Sequence, residues 1–151
     1  IVSWGYHPTP ETTTGSRFID ILQWTGTKDP TAALTVPTAI QFMRDNHWDK
    51  VRKECHDLLR RGIEQICDLV NMPPLYPLDS DLYSQMGIAP LPLSNLAALK
   101  NRLYDVCKIE VPLIQWQDQQ FVRISVQGYN SEEDIDALAK ALQVLLPQVA
   151  A

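Results

Sequence analysis

Histidine, cysteine and positive charge are scarce in this chain, and each scarcity removes a class of function. The three histidines, His7, His47 and His56, are scattered with no spacing that would ligate a metal, so each reads as structural or solvated. The three cysteines, Cys55, Cys67 and Cys107, are odd in number, fall in helical patterns and form no C-x-x-C. That argues against a disulfide framework or a zinc knuckle and suits core thiols in a reducing, cytoplasmic compartment. Thirteen basic residues against eighteen acidic ones leave a formal net charge of -5, with no lysine-arginine block. Neither nucleic acid nor an anionic membrane is an expected partner. No apolar run reaches the roughly eighteen residues that a membrane span needs, and no signal peptide is visible. The G-x-G-x-x-G pattern, a phosphate-loop signature and a Ser-His-Asp order are all absent, so no nucleophile stands beside a base.

What is present is a globular composition. With 151 residues, 45% of them hydrophobic, the chain is long enough for one good core. It begins with Ile1 and not with methionine, which leads us to expect a processed product or a piece of a longer polypeptide. Ile1 to Gly5 is a short strand candidate containing Trp4, and His7 to Ser16 reads as a loop. Phe18, Ile19, Ile21, Leu22 and Trp24 form a dense apolar patch that something should cover. Asp29 is a candidate N-cap with Pro30 at the first helical position, for a short helix through Leu34; Pro37 starts a second. Trp48, Val51, Cys55, Leu58, Leu59, Ile63, Ile66, Leu69 and Val70 follow steps of three and four, predicting one long helix that Asn71-Met72-Pro73-Pro74 stops.

From Met86 the predicted order is strand, helix, strand, strand, helix. Met86 to Leu91 is a strand near a sheet edge, because Pro90 and Pro92 cannot serve an inner ladder. Ser94 is expected to cap a helix carrying Leu96, Leu99, Leu103 and Val106. Lys108 to Trp116 is read as a strand interrupted by Pro112, turned back through residues 117–120. Ser131 with Asp134 resembles a capping box ahead of Ile135, Leu138, Leu142, Leu145 and Leu146. This is an α/β layer, a sheet with helices on one face.

Two stretches carry the candidate chemistry. In F-V-R-I-S-V-Q-G-Y, from Phe121 to Tyr129, Val122, Ile124 and Val126 alternate with Phe121, Arg123, Ser125 and Gln127. One face is core, and the other holds an arginine on a rigid strand, where its planar fork suits a carboxylate or a phosphate. The same position would also suit a surface arginine paired with an acid. In W-T-G-T-K-D-P, from Trp24 to Pro30, a glycine and two hydroxyls precede a helix start, which could offer N–H groups to an anion or be an ordinary capped turn.

F-I-D-I-L-Q-W-T-G-T-K-D-P from Phe18, P-T-A-I-Q-F-M-R from Pro37 and V-R-I-S-V-Q-G-Y-N-S-E-E-D-I-D from Val122, in this order, resemble the C-terminal part of class V aminotransferase-fold enzymes. The nearest subgroup is the isopenicillin N epimerase-like proteins, with cysteine desulfurases and other carbon-sulfur lyases as cousins. The resemblance implies a homodimeric pyridoxal-phosphate enzyme of fold type I. In such enzymes the Schiff-base lysine and the acid facing the pyridine nitrogen precede this segment. Lys28 is not that lysine, and this piece alone is expected to be inactive. Gly26 and Thr27 match the pair that reaches the cofactor phosphate, and Arg123 matches the arginine that clamps the substrate's α-carboxylate. No catalytic or metal-binding residue is assigned.

The implied architecture is a large-domain remnant over 1–43, a connecting helix over 44–74, and a small α/β domain over 75–151. The implied partners are an amino-acid substrate, the N-terminal large domain of the same polypeptide and a second subunit. Amino-acid epimerisation is the leading activity, with a cysteine desulfurase or carbon-sulfur lyase as alternative. From another class, a non-catalytic α/β interaction or ligand-binding module remains.

Overall fold

A computed structural model of the chain describes residues 14–23 and 29–150, with the side chain of Gln23 left aside. Contacts divide the chain into two compact units, Ile1–Asn46 and His47–Ala151.

The described part of the first unit is helical: α1 (Arg17–Gln23), α2 (Thr31–Leu34) and α3 (Val36–Asp45). In the first turn of α1, Asp20 is buried and its carboxylate accepts from Thr14 Oγ1, ahead of the helix, at 2.8 Å. Helix α2 starts one residue later than the sequence suggests, with Pro30 in the N-cap position. The Asp29 carboxylate still serves that end, accepting from Thr31 N at 2.9 Å and from the Thr31 hydroxyl. Those two donors hold its carboxyl below the usual carboxylate range. Pro37 sits in the first turn of α3, where its missing N–H costs no helical bond. Phe18 and Leu34 remain 73% and 71% exposed.

The second unit holds the core. Helix α4 (Trp48–Val70) buries Cys55, Leu58, Leu59, Ile63 and Ile66 of the stripe expected from the three-and-four spacing, with Val51, Leu69 and Val70 partly buried against the core, and it buries Cys67 as well. Asn71 ends it in the left-handed conformation at φ 52°, a conformation asparagine tolerates better than most residues. Three strands follow in the order expected: β1 (Met86–Leu91), β2 (Leu113–Trp116) and β3 (Gln119–Ser125), with helices α5 (Leu96–Asp105) and α6 (Glu132–Leu145). The sheet is antiparallel in the order β1-β3-β2, so the proline-bearing β1 lies at an edge and β3 in the middle.

Register assigns the faces. Gly87 lies opposite Ile124 and Ala89 opposite Val122, and these share one core with α4, α5 and α6. A Cβ added at Gly87 would meet Ile63 Cδ1 at 2.8 Å, which shows how closely α4 approaches this face. Ile88 lies opposite Arg123 and Pro90 opposite Phe121, so these point to the other side of the sheet.

Three expectations are corrected. The N-cap of α5 is Asn95, whose side chain accepts from Ala98 N at 3.1 Å. Ser94 is instead buried, its N–H and hydroxyl donating to Gln120 Oε1 at 2.9 and 3.0 Å. Val106 is 74% exposed at the C-cap of α5, while Leu99 and Leu103 are the residues of that helix buried in the core. The strand expected from Lys108 shrinks to Leu113–Trp116, because Lys108 takes φ 58° and Ile109 N turns back to Leu103 O at 2.9 Å. The capping box at α6 is present, with Asp134 Oδ2 accepting from Ser131 N at 3.0 Å.

Candidate functional site

Arg123 sits on the central strand, its backbone held on both sides. Its N–H donates to Pro112 O at 2.9 Å, and Ile88 faces it across the ladder. Since Val122 and Ile124 are spent on the core, the two-residue period of the strand directs the arginine to the face of the sheet opposite those residues. There the guanidinium Nε is buried and has no hydrogen-bond partner. Among the described residues the arginine enters no ion pair. A buried donor without a partner is costly, of the order of 1–3 kcal/mol, so this one is poised for an acceptor.

Arg123 also lines a cleft of about 520 Å³. Its walls are the end of β3, the irregular segment 107–112, and the first turns of α6. Ile109, Val111, Pro112 and Leu138 supply the apolar part, and Lys108, Glu110, Asn130 and Asp134 the polar part. Lys108 Nζ is turned to the end of α5, donating to Asp105 O at 2.8 Å. Asp134 Oδ2 accepts from Asn130 Nδ2 at 3.2 Å as well as from Ser131 N. The Asn130 Oδ1 accepts from Gln127 N at 2.9 Å, which ties the turn after β3 to the start of α6. Glu110 and Asn130 were not singled out from the sequence, and Asp134 was read only as a cap. Nothing in the local pattern signals Glu110, because its place depends on the turn at Lys108.

Gly26 and Thr27 lie outside the described residues, as do Trp4, His7, Trp24 and Lys28. His56 is engaged elsewhere, with Nδ1 2.9 Å from Ser84 O and its ring stacked 4.8 Å from that of Tyr83. The cysteines are free thiols, Cys55 and Cys67 buried and Cys107 half-buried at the cleft. Burial pushes the Cys67 thiol up. Among the described residues no group of three or more His, Cys, Asp or Glu is placed to hold a metal. No described helix is long and apolar enough to cross a membrane.

An antiparallel three-stranded sheet with its helices on one side, entered from a long helix and presenting an arginine on the other side, has the small-domain architecture of fold type I transferases. The fold likeness is measurable: the chain superimposes on 8-amino-7-oxononanoate synthase from Francisella tularensis with a TM-score of 0.50 over 87% of this chain and 37% of that one, at 22% identity. In sequence it is 30% identical over 152 residues to isopenicillin N epimerase of Amycolatopsis lactamdurans and 29% identical over 157 residues to that of Streptomyces clavuligerus. Each alignment covers 95% of this chain and 38% of the relative. A probable cysteine desulfurase of Halalkalibacterium halodurans is 28% identical over 127 residues, covering 78% of this chain and 30% of its own length. No family model matches the chain. The resemblance drawn from the sequence is borne out, and the chain is isopenicillin N epimerase-like. It spans well under half the length of these relatives.

Proposed function

We propose that the chain is the C-terminal portion of a pyridoxal-phosphate-dependent amino-acid epimerase, and that Arg123 holds the substrate's α-carboxylate. The observation carrying this reading is the buried Nε of Arg123, without a hydrogen-bond partner among the described residues, on the face of the sheet opposite Val122 and Ile124. A guanidinium presents parallel N–H groups at the spacing of two carboxylate oxygens, and a central strand holds that fork in one orientation. Fixing the carboxylate fixes the directions of the other bonds at the α-carbon, so the arginine contributes by positioning. It stays protonated throughout and moves no proton itself.

Pyridoxal phosphate, when bound, supplies the electron sink that makes the α-proton removable. The described residues fit the carboxylate end of such a substrate. The phosphate end is assigned to Gly26 and Thr27 by the family motif alone. In the same reading residues 1–43 belong to the large domain, 44–74 to the connecting helix and 75–151 to the small domain, within a cytoplasmic homodimer.

A carbon-sulfur lyase is the second reading, favoured by the desulfurase relative. It uses the same carboxylate contact, and assaying the full-length protein for racemised amino acid and for released sulfide separates the two. The central test is Arg123→Ala in the full-length protein. Loss of a charged hydrogen bond worth roughly 1.5–3 kcal/mol lowers kcat/KM by about 10- to 150-fold. Cofactor absorbance is retained, because the arginine does not hold the cofactor. An unchanged kcat/KM refutes the assignment.

A further inference from the structure

Arg123 is the one charged residue on the three strands of the described sheet, which otherwise carry apolar and neutral polar side chains. The chain has eighteen acidic residues, and none stands on those strands. Across the β1–β3 ladder the residue facing the arginine is Ile88. Both backbone N–H groups of that pair turn outward, Arg123 N to Pro112 O at 2.9 Å and Ile88 N to the Tyr76 hydroxyl at 3.0 Å. Ile88 and Arg123 are therefore a non-hydrogen-bonded pair, the closer of the two antiparallel spacings, with Cβ atoms about 4.5–5.5 Å apart on one face. Along that face Phe121 is buried opposite buried Pro90, whereas Ser125 is exposed opposite Met86, itself 54% exposed. The arginine stands where the covered part of the face meets the open part, with its Nε buried and without a partner among the described residues.

We propose that Ile88 is a positioning residue for Arg123: an aliphatic neighbour at the close cross-strand spacing offers no acceptor, so the guanidinium stays uncommitted until a carboxylate arrives from outside. The proposal rests on the assignment of Arg123 to the α-carboxylate. Opposite charges directly across a ladder attract, so an acid at position 88 would be the nearest partner the arginine could have. It would take up the parallel N–H groups that an incoming carboxylate needs. Isoleucine removes that competition, and its branched Cβ leaves it few rotamers in which to give way beside the arginine stem. Ile88 acts only through Arg123 and takes no part in bond making.

The test treats the full-length protein with phenylglyoxal, which reacts fastest with guanidinium groups free of an anionic partner, and reads Arg123 by peptide mass spectrometry. Arg123 is modified in the wild type, and at the same rate in Ile88→Val, which keeps an aliphatic neighbour. Ile88→Glu slows the modification about two- to fivefold, the size of a cross-strand ion pair, and uncharged Ile88→Gln slows it less. In kinetics Ile88→Glu lowers kcat/KM by a similar factor when Arg123 is present and has no effect beside Arg123→Ala, a coupling that general loss of stability does not produce. An Arg123 that resists phenylglyoxal in the wild type, equal modification rates in Ile88→Glu and wild type, or the same loss of kcat/KM with and without Arg123 overturns the inference. If Arg123→Ala lowers kcat/KM while Ile88→Glu leaves the modification rate unchanged, the carboxylate clamp stands and the role of Ile88 falls. If Arg123→Ala leaves kcat/KM unchanged, the clamp falls and takes the inference with it, even where Ile88→Glu slows the modification.

Discussion

Replacing Gly87 with alanine puts one methyl group into the closest approach between α4 and the sheet. The added Cβ would lie 2.8 Å from Ile63 Cδ1 and 2.8 Å from the Tyr76 hydroxyl, with Leu59 Cδ2 at 3.6 Å. Both short contacts are below anything a real Cβ tolerates, so two neighbours must shift. Ile63 is fully buried and has nowhere to go without disturbing the core. Tyr76 Oη accepts from Ile88 N at 3.0 Å, and displacing it takes away that bond. Overpacking of this kind costs about 1–3 kcal/mol, and the lost hydrogen bond about 0.5–1.5 kcal/mol. Relief of the glycine's backbone entropy returns about 0.5–1 kcal/mol, so the net loss is centred near about 2 kcal/mol, within about 0.5–4 kcal/mol. Urea unfolding of the intact protein reads this directly, with hydrogen exchange of the α4 and β3 amides confirming that the second unit is affected. Tyr76→Phe alone costs about 1 kcal/mol. In that background Gly87→Ala costs less than in the wild type, because one of its two clashes has gone. A Gly87→Ala protein within about 0.5 kcal/mol of the wild type, or a strictly additive double variant, refutes the packing described.

Gln120→Met removes the side chain that satisfies Ser94 on both its donors and its carbonyl, and it lowers stability by about 1–3 kcal/mol in the same urea assay. Iodoacetamide alkylates half-buried Cys107 well before buried Cys55 and Cys67, and mass spectrometry of the native protein identifies the order. The raised thiol of Cys67 and the raised phenol of Tyr83, each pushed up chiefly by burial, make the folded state hold these protons more firmly than the unfolded one. Their stabilisation is complete below the ordinary thiol range near about pH 8.5 and is lost as pH rises through the folded values. The urea midpoint therefore falls on the alkaline side, and Cys67→Ser flattens the part of that fall due to the thiol.

The elements that the sequence disclosed are those whose periodicity survives in packing. Helix α4 is legible because its apolar residues keep one stripe for six turns, and β3 because Val122, Ile124 and Val126 all enter the core. The edge position of β1 follows from proline, which has no N–H for an inner ladder. Ser94 was misread because serine and asparagine are both good caps, and the choice fell to the buried Gln120 network, made with a residue far along the chain. Val106 continued a helical spacing past the point where the helix ends, so its period had no face to point at. Arg123 could be placed on a face from alternation alone. Glu110 could not, since a left-handed Lys108 and the Ile109–Leu103 bond, neither signalled locally, bring it to the cleft.

The bond from Ile88 N–H to the Tyr76 hydroxyl also bears on how copies of this protein can associate. A sheet grows when a stray strand finds unsatisfied amides along its border. On the β1 side one such amide is already taken by a phenol, and Pro90 has none to offer. Of the two borders of the described sheet, β2 is thus the one left more open to such growth, and a proline introduced there is the change that closes it.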